Sequence, residues 1–294
     1  MSPSQPGILA AIPAAGRFVT FDLSPGASPA EVLPTVAALA VDDGLVVGLG
    51  DPLVQGRAGA PRGLRTFPAF TGPGVAFPST QGALWLFLRG DDSAALLLHA
   101  RELALRFEGR LAVAEDVATF RYAEGRDLTG YEDGTENPKG ERAVETAIVT
   151  NADDGLDGGS YVAAQRWVHD LRRFEVMTAE ARNYAIGRDR HTNEELSDAP
   201  ASAHVKRTAQ ESFEPAAFML RRSMPYGDLA THGLYFVAFG ASLDPFERVL
   251  SRMAGLDDGV TDALLGFSRP VTGGYYWCPP ARDGRLDLRA LDTG

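Results

Sequence analysis

A single cysteine, Cys278, stands in the 294 residues. That excludes an internal disulfide framework, a thiolate zinc site and a cysteine-ligated iron–sulfur cluster. Basic residues are also scarce, because 28 Lys and Arg against 39 Asp and Glu leave a net charge of −11. A phosphate backbone demands a basic face, so nucleic acid is excluded as the expected partner. No run of about 18 apolar residues exists, so no membrane-spanning helix is encoded. The opening residues Met1-Ser2-Pro3-Ser4-Gln5-Pro6-Gly7 lack a basic segment and a following apolar stretch, and a cytoplasmic location is expected. What is present, 45% hydrophobic and 23% charged residues, is the composition of a globular protein with room for two cores.

Hydrophobic periodicity divides the chain into two similar halves. In the first, residues 17–23 alternate as a strand. Ser28-Pro29-Ala30-Glu31 then supplies a cap, a first-turn proline and a glutamate for a helix through Val32, Val36 and Leu39. Residues 45–49 read as a strand, residues 50–82 as a long Gly/Pro-rich loop, and residues 84–88 as the strongest strand. A helix after Asp92 turns Leu97, Ala100, Leu103 (or Ala104) and Phe107 inward, and a strand follows within residues 110–122. The second half repeats the order. Strands are expected at residues 161–171, 218–220, 234–239 and 274–278, with helices at residues 178–186 and after Asp244-Pro245-Phe246-Glu247. Phe246, Val249, Leu250 and Met253 form one apolar helix face. Two βαββαβ units predict an α+β protein of two tandem ferredoxin-like domains, residues 1–150 and 151–294, each with an antiparallel sheet. The boundary is expected at residues 151–159.

The densest cluster of chemistry lies in Gly130-Tyr131-Glu132-Asp133-Gly134-Thr135-Glu136-Asn137-Pro138. Glycines permit a sharp bend, and a carboxylate held on it can be aimed as a general acid/base. By composition alone this is an acidic surface turn. The order Gly-x-x-Asp-Gly followed by Thr-Glu-Asn-Pro, however, resembles the signature of the dye-decolorizing peroxidases, most closely their bacterial B-type branch. That family has a duplicated ferredoxin-like fold of the dimeric α+β barrel type and carries haem b (iron protoporphyrin IX).

Five histidines are available as ligand: His99, His169, His191, His204 and His232. Ala203-His204-Val205-Lys206-Arg207 resembles the family's proximal segment, which implies that His204 binds the iron. Asp262 is the candidate carboxylate behind it. Leu220-Arg221-Arg222-Ser223-Met224-Pro225-Tyr226-Gly227 resembles the distal segment. It implies that Arg221 acts beside Asp133, with Ser223 where many B-type members have Asn. Leu234 and Phe236 match apolar residues over the haem, and Arg188, in Ile186-Gly187-Arg188, matches a partner of a haem propionate.

The resemblance implies a peroxidase in which Asp133 and Arg221 promote peroxide heterolysis to an oxoferryl state. Small organic reductants such as dyes and phenolics would then be oxidised by one-electron steps. Trp85, Trp167, Trp277, Tyr275 and Tyr276 are candidates for surface oxidation of bulky dyes. Alternatives are a haem-binding or haem-transfer protein with little turnover, which needs no distal acid and arginine, and a non-haem domain pair. Expected partners are hydrogen peroxide, the organic donor and further copies of the chain in a homo-oligomer. The tail from Asp283 to Asp292, with Leu286, Leu288 and Leu291, resembles the peptide by which some B-type members load into encapsulin compartments. It can equally cover the domain's own core edge.

Overall fold

Branched and aromatic segments favour extended chain, and here they build two sets of four antiparallel strands. Across the first set the order is Leu111–Phe120, Ala15–Leu23, Leu84–Gly90 and Leu45–Gly50. Across the second it is Met224–Gly227, His232–Gly240, Ser160–His169 and Gly274–Cys278. Both orders are ferredoxin-like, as expected. In this computed structural model, which describes residues 3–57, 59–150, 152 and 155–292, the two sets do not remain separate sheets. Tyr276 and Trp277 pair with Gly50 and Leu49 at one seam, and Thr119 pairs with Tyr226 at the other. Eight strands therefore close into one ring. Of the expected boundary segment, Asn151, Asp153 and Asp154 lie outside the described residues.

The ring is filled by aromatic side chains contributed by both sets. Phe18 stacks on Tyr235 with centroids 4.0 Å apart, and the Trp85 indole N–H donates to the Tyr235 hydroxyl at 3.2 Å. Helices cover the outer faces. Ser28 and Glu31 form the expected capping box of the Pro29–Ala37 helix. The Asp92 carboxylate accepts the Ala94 and Ala95 N–H groups to start Ser93–Arg106.

Several local expectations need correction. Leu96, and not Leu97, joins Ala100, Leu103 and Phe107 in the core, while Leu97 is 47% exposed. Both leucines fit a helical stripe, and only the position of the sheet selects one. Asp244 is the first helical residue rather than the cap, and its capping box does not form. Glu247 instead receives the Arg65 guanidinium at 2.5 Å and the Tyr275 hydroxyl at 3.0 Å. The long loop contains a helical turn, Asp51–Val54, and a hairpin of Phe70–Gly72 with Val75–Phe77. Residues 218–220 are a strand only at Leu220, within Leu220–Arg221. Trp85, Trp167, Trp277, Tyr275 and Tyr276 are all buried, so none presents its ring at the surface for direct oxidation. Among the described residues no helix is long and apolar enough to cross a membrane.

Candidate active site

Side-chain alternation along two strands decides where the main cavity lies. On Ser160–His169, Gln165 and Trp167 point away from the ring interior. On His232–Gly240, Leu234 and Phe236 do the same. They form one wall of an open cavity of about 980 Å³, solvent space at its mouth included. The Asp244–Met253 helix supplies the facing wall through Phe246, Val249, Leu250 and Met253. Its apolar stripe thus serves the cavity as well as the core.

His204 reaches this cavity from a single helical turn, His204–Arg207. Its Nδ1 lies 2.8 Å from Asp262 Oδ2, and the Asp262 side chain has no exposed surface. A carboxylate can only accept here, so Nδ1 carries the proton and the Nε2 lone pair is left free. Asp262 is itself held, because its Oδ1 accepts the Leu264 N–H at 2.9 Å. The predicted pairing of His204 with Asp262 is therefore present in the geometry.

A second of the five histidines, His169, lines the same cavity, though no motif in the sequence assigned it a role. His169 Nε2 is 3.0 Å from Asp127 Oδ1, while its Nδ1 is 2.7 Å from the Ser268 hydroxyl. Both ring nitrogens are engaged, so His169 offers no free lone pair, whereas His204 does. His99 and His191 are exposed, and His232 opens its strand outside the cavity lining. Burial opposes ionisation of Asp127, but the hydrogen bond and attraction of His169 and two hydrogen bonds from Thr129 outweigh it. They hold the carboxyl at about 2.

A depressed carboxyl stabilises the fold above its ordinary range and loses that contribution as pH falls through its folded value. Stability to denaturant should therefore fall between about pH 4 and pH 2. In His169→Ala the neutral-pH stability should drop, and this acid component should shrink because Asp127 has lost its partner. Unchanged pH dependence in the variant would show that the pair contributes nothing.

The acidic turn brings Asp133 to the cavity, half-buried, with its N–H donating to the Gly125 carbonyl at 3.1 Å. Arg221 lines the same cavity, and its Nε is buried without a hydrogen-bond partner. Both residues also line an adjoining opening with Arg188. Arg188 donates to Glu136 Oε1 at 2.9 Å and to the Asn193 carbonyl at 3.0 Å. Ser223 lines neither this cavity nor that opening. It lies in a small side cavity with Asp133 and Leu234, and its hydroxyl accepts the Val237 N–H at 3.3 Å. Asn137, quoted in the acidic turn but given no role from sequence, hydrogen-bonds the backbone of Arg221.

Residues 124–283 match the family model of the C-terminal region of Dyp-type peroxidases. A dye-decolorizing peroxidase from Rhodococcus erythropolis is 32% identical over 296 residues, covering 93% of this chain and 86% of that protein. One from Brevibacterium linens is 30% identical over 260 residues, covering 85% and 71%. Among solved structures, a dye-decolorizing protein from V. cholerae superposes with a TM-score of 0.85 at 29% identity, covering 94% of this chain and 97% of that one. A variant of DypB from Rhodococcus jostii RHA1 in complex with heme gives 0.86 at 27% identity, covering 96% and 98%. Likeness of this extent, in sequence and in structure, means that the chain belongs to the dye-decolorizing peroxidase family and is a haem peroxidase.

Proposed function

We propose that the chain binds haem b between the second strand set and the Asp244–Met253 helix, and uses hydrogen peroxide to oxidise small organic donors such as phenols and dyes. The observation that carries this reading is the His204–Asp262 pair. It leaves one imidazole lone pair free on an apolar cavity that also holds the unpartnered Arg221 Nε. The residues fit the group. Leu234, Phe236, Phe246, Leu250 and Ile186 suit the faces and edges of an apolar macrocycle, and Arg188 suits a propionate. Bound there, haem supplies the redox centre at which peroxide is reduced and donors lose single electrons.

The chain's own groups divide the remaining work. His204 Nε2 would hold the haem iron, and Asp262 fixes the ring's orientation and raises its basicity by accepting the hydrogen bond from Nδ1–H. The Asp133 carboxylate takes a proton from one oxygen of hydrogen peroxide and returns it to the other, so that water can leave. Arg221 holds fixed positive charge against the negative charge that develops on the departing oxygen. Ser223 contributes the wall of the small cavity behind Asp133. Leu234 and Phe236 keep large ligands off that side. A transfer protein would need neither Asp133 nor Arg221 in the cavity.

Titration of the purified protein with hemin tests this reading. A Soret band should saturate at one equivalent, and the loaded protein should oxidise a phenolic donor with peroxide. No saturable band overturns the haem reading, and a band without turnover supports the transfer alternative.

The packing of the tail supports an intramolecular role over encapsulin docking. Leu286 and Leu291 are 6% and 3% exposed within the main core, and the Val41 N–H donates to the Gly284 carbonyl at 2.8 Å. Asp287 pairs with Arg282 at 2.7 Å and Arg289 at 2.8 Å. Docking on a shell would first remove these leucines from the core. Leu291→Ala should cost about 2–5 kcal/mol in denaturant unfolding. Co-expression with a shell protein should capture full-length and residue-280-truncated chains equally. Capture of the full-length chain alone would restore the targeting reading.

A further inference from the structure

Arg221 sits at the end of the two-residue strand Leu220–Arg221, whose sheet partners are Phe239 and Ala238 of the His232–Gly240 strand. On its other edge the Arg221 N–H and carbonyl meet a side chain, where a neighbouring strand would otherwise lie. Asn137 Oδ1 accepts the Arg221 N–H at 2.8 Å, and Asn137 Nδ2 donates to the Arg221 carbonyl at 3.0 Å. One amide thus completes both hydrogen bonds that a backbone would have made. The Arg221 Nε has no hydrogen-bond partner to aim it, so its direction depends on how firmly its backbone is held.

The acidic turn is shaped to present that amide. Gly134 adopts φ +76°, and a Cβ there would stand 2.7 Å from Asn137 Nδ2. The Asn137 N–H closes the turn on the Gly134 carbonyl at 3.0 Å. Asp133 immediately precedes this glycine, so a single turn carries the distal acid and the clamp on the distal arginine.

We propose that Asn137 is the positioning residue of Arg221, a clamp that couples the acidic turn to the guanidinium in the cavity. The proposal rests on the distal role of Arg221 given above. Asn137 itself lines neither the cavity nor the adjoining opening. It acts by limiting the backbone freedom of Arg221, and Gly134 is glycine so that the amide can reach.

Fluoride binding to the ferric haem-loaded protein, read from the absorption spectrum, separates the two readings. A bound anion is stabilised by a well-placed guanidinium, so Arg221→Ala should weaken fluoride strongly. Asn137→Ala should weaken it roughly tenfold, the scale of a misplaced charged hydrogen bond. In an Arg221→Ala background the same Asn137 change should have no further effect, which a merely structural role would not produce. Asn137→Ser, too short to bridge both backbone groups, should behave like the alanine variant and serves if that variant folds poorly.

Unchanged fluoride affinity in Arg221→Ala overturns the distal reading and the proposal with it. Weakening in Arg221→Ala but less than a twofold change in both Asn137 variants overturns the clamp alone. So does an Asn137 effect that persists without Arg221.

Discussion

Alanine at Arg221 is expected to slow the reaction of the haem-loaded protein with hydrogen peroxide by roughly 10²–10³-fold, with Asp133→Ala somewhat less damaging. The order follows from the surroundings. Arg221 has a buried Nε without a protein partner, so its charge acts in a poorly solvated place where nothing replaces it. Asp133 shares the main cavity and the adjoining opening with Arg221 and alone of the two also borders the small side cavity. Water in such open spaces can carry part of the proton traffic when the carboxylate is gone. Lysine at Arg221 should recover only part of the loss, because a point charge on a flexible stem lacks the planar fork. Rapid mixing with excess peroxide measures each variant directly. A slowing of less than tenfold in both alanine variants would remove these residues from the distal role.

The second large effect is expected at His204. Its alanine variant should lose haem or show a strongly altered spectrum, since no other histidine lining the main cavity has a free ring nitrogen. His169→Ala, by contrast, should keep the spectrum of a histidine-bound haem even as its acid stability changes. Asp262→Ala should retain His204 but weaken haem retention roughly 10–100-fold, the usual loss when the partner behind a metal ligand is removed. Competition with apomyoglobin measures that retention. A His204→Ala protein with full haem content and an unaltered spectrum would refute the ligand assignment.

Much of this was legible before any coordinates, though unevenly. The Ser28–Glu31 box and the apolar face from Phe246 to Met253 are local patterns, and they formed as read. The Asp244 box is just as regular in sequence, yet Glu247 was drawn away by Arg65 and Tyr275, residues distant in the chain. Motif order pointed to His204, Asp133 and Arg221, and the fold gathers all three at one cavity. His169 and Asp127 left no such signal. Their residue types are common, and they are 42 positions apart.

By itself the sequence determined the fold class, the strands and helices that local periodicity encodes, and the family through short motifs. Those features depend on neighbours within a few residues, where alternation, capping and glycine geometry act directly. Only the tertiary structure decided which strands meet at the two seams of the ring, that Leu96 rather than Leu97 turns inward, and that the tail leucines enter the chain's own core. It alone decided that His169 has both nitrogens engaged while His204 keeps one free, and that Asn137 reaches Arg221 across 84 positions. The physical reason is common to all of these. Hydrogen bonds and close packing act over a few ångströms of space, and chain separation neither encodes nor forbids them.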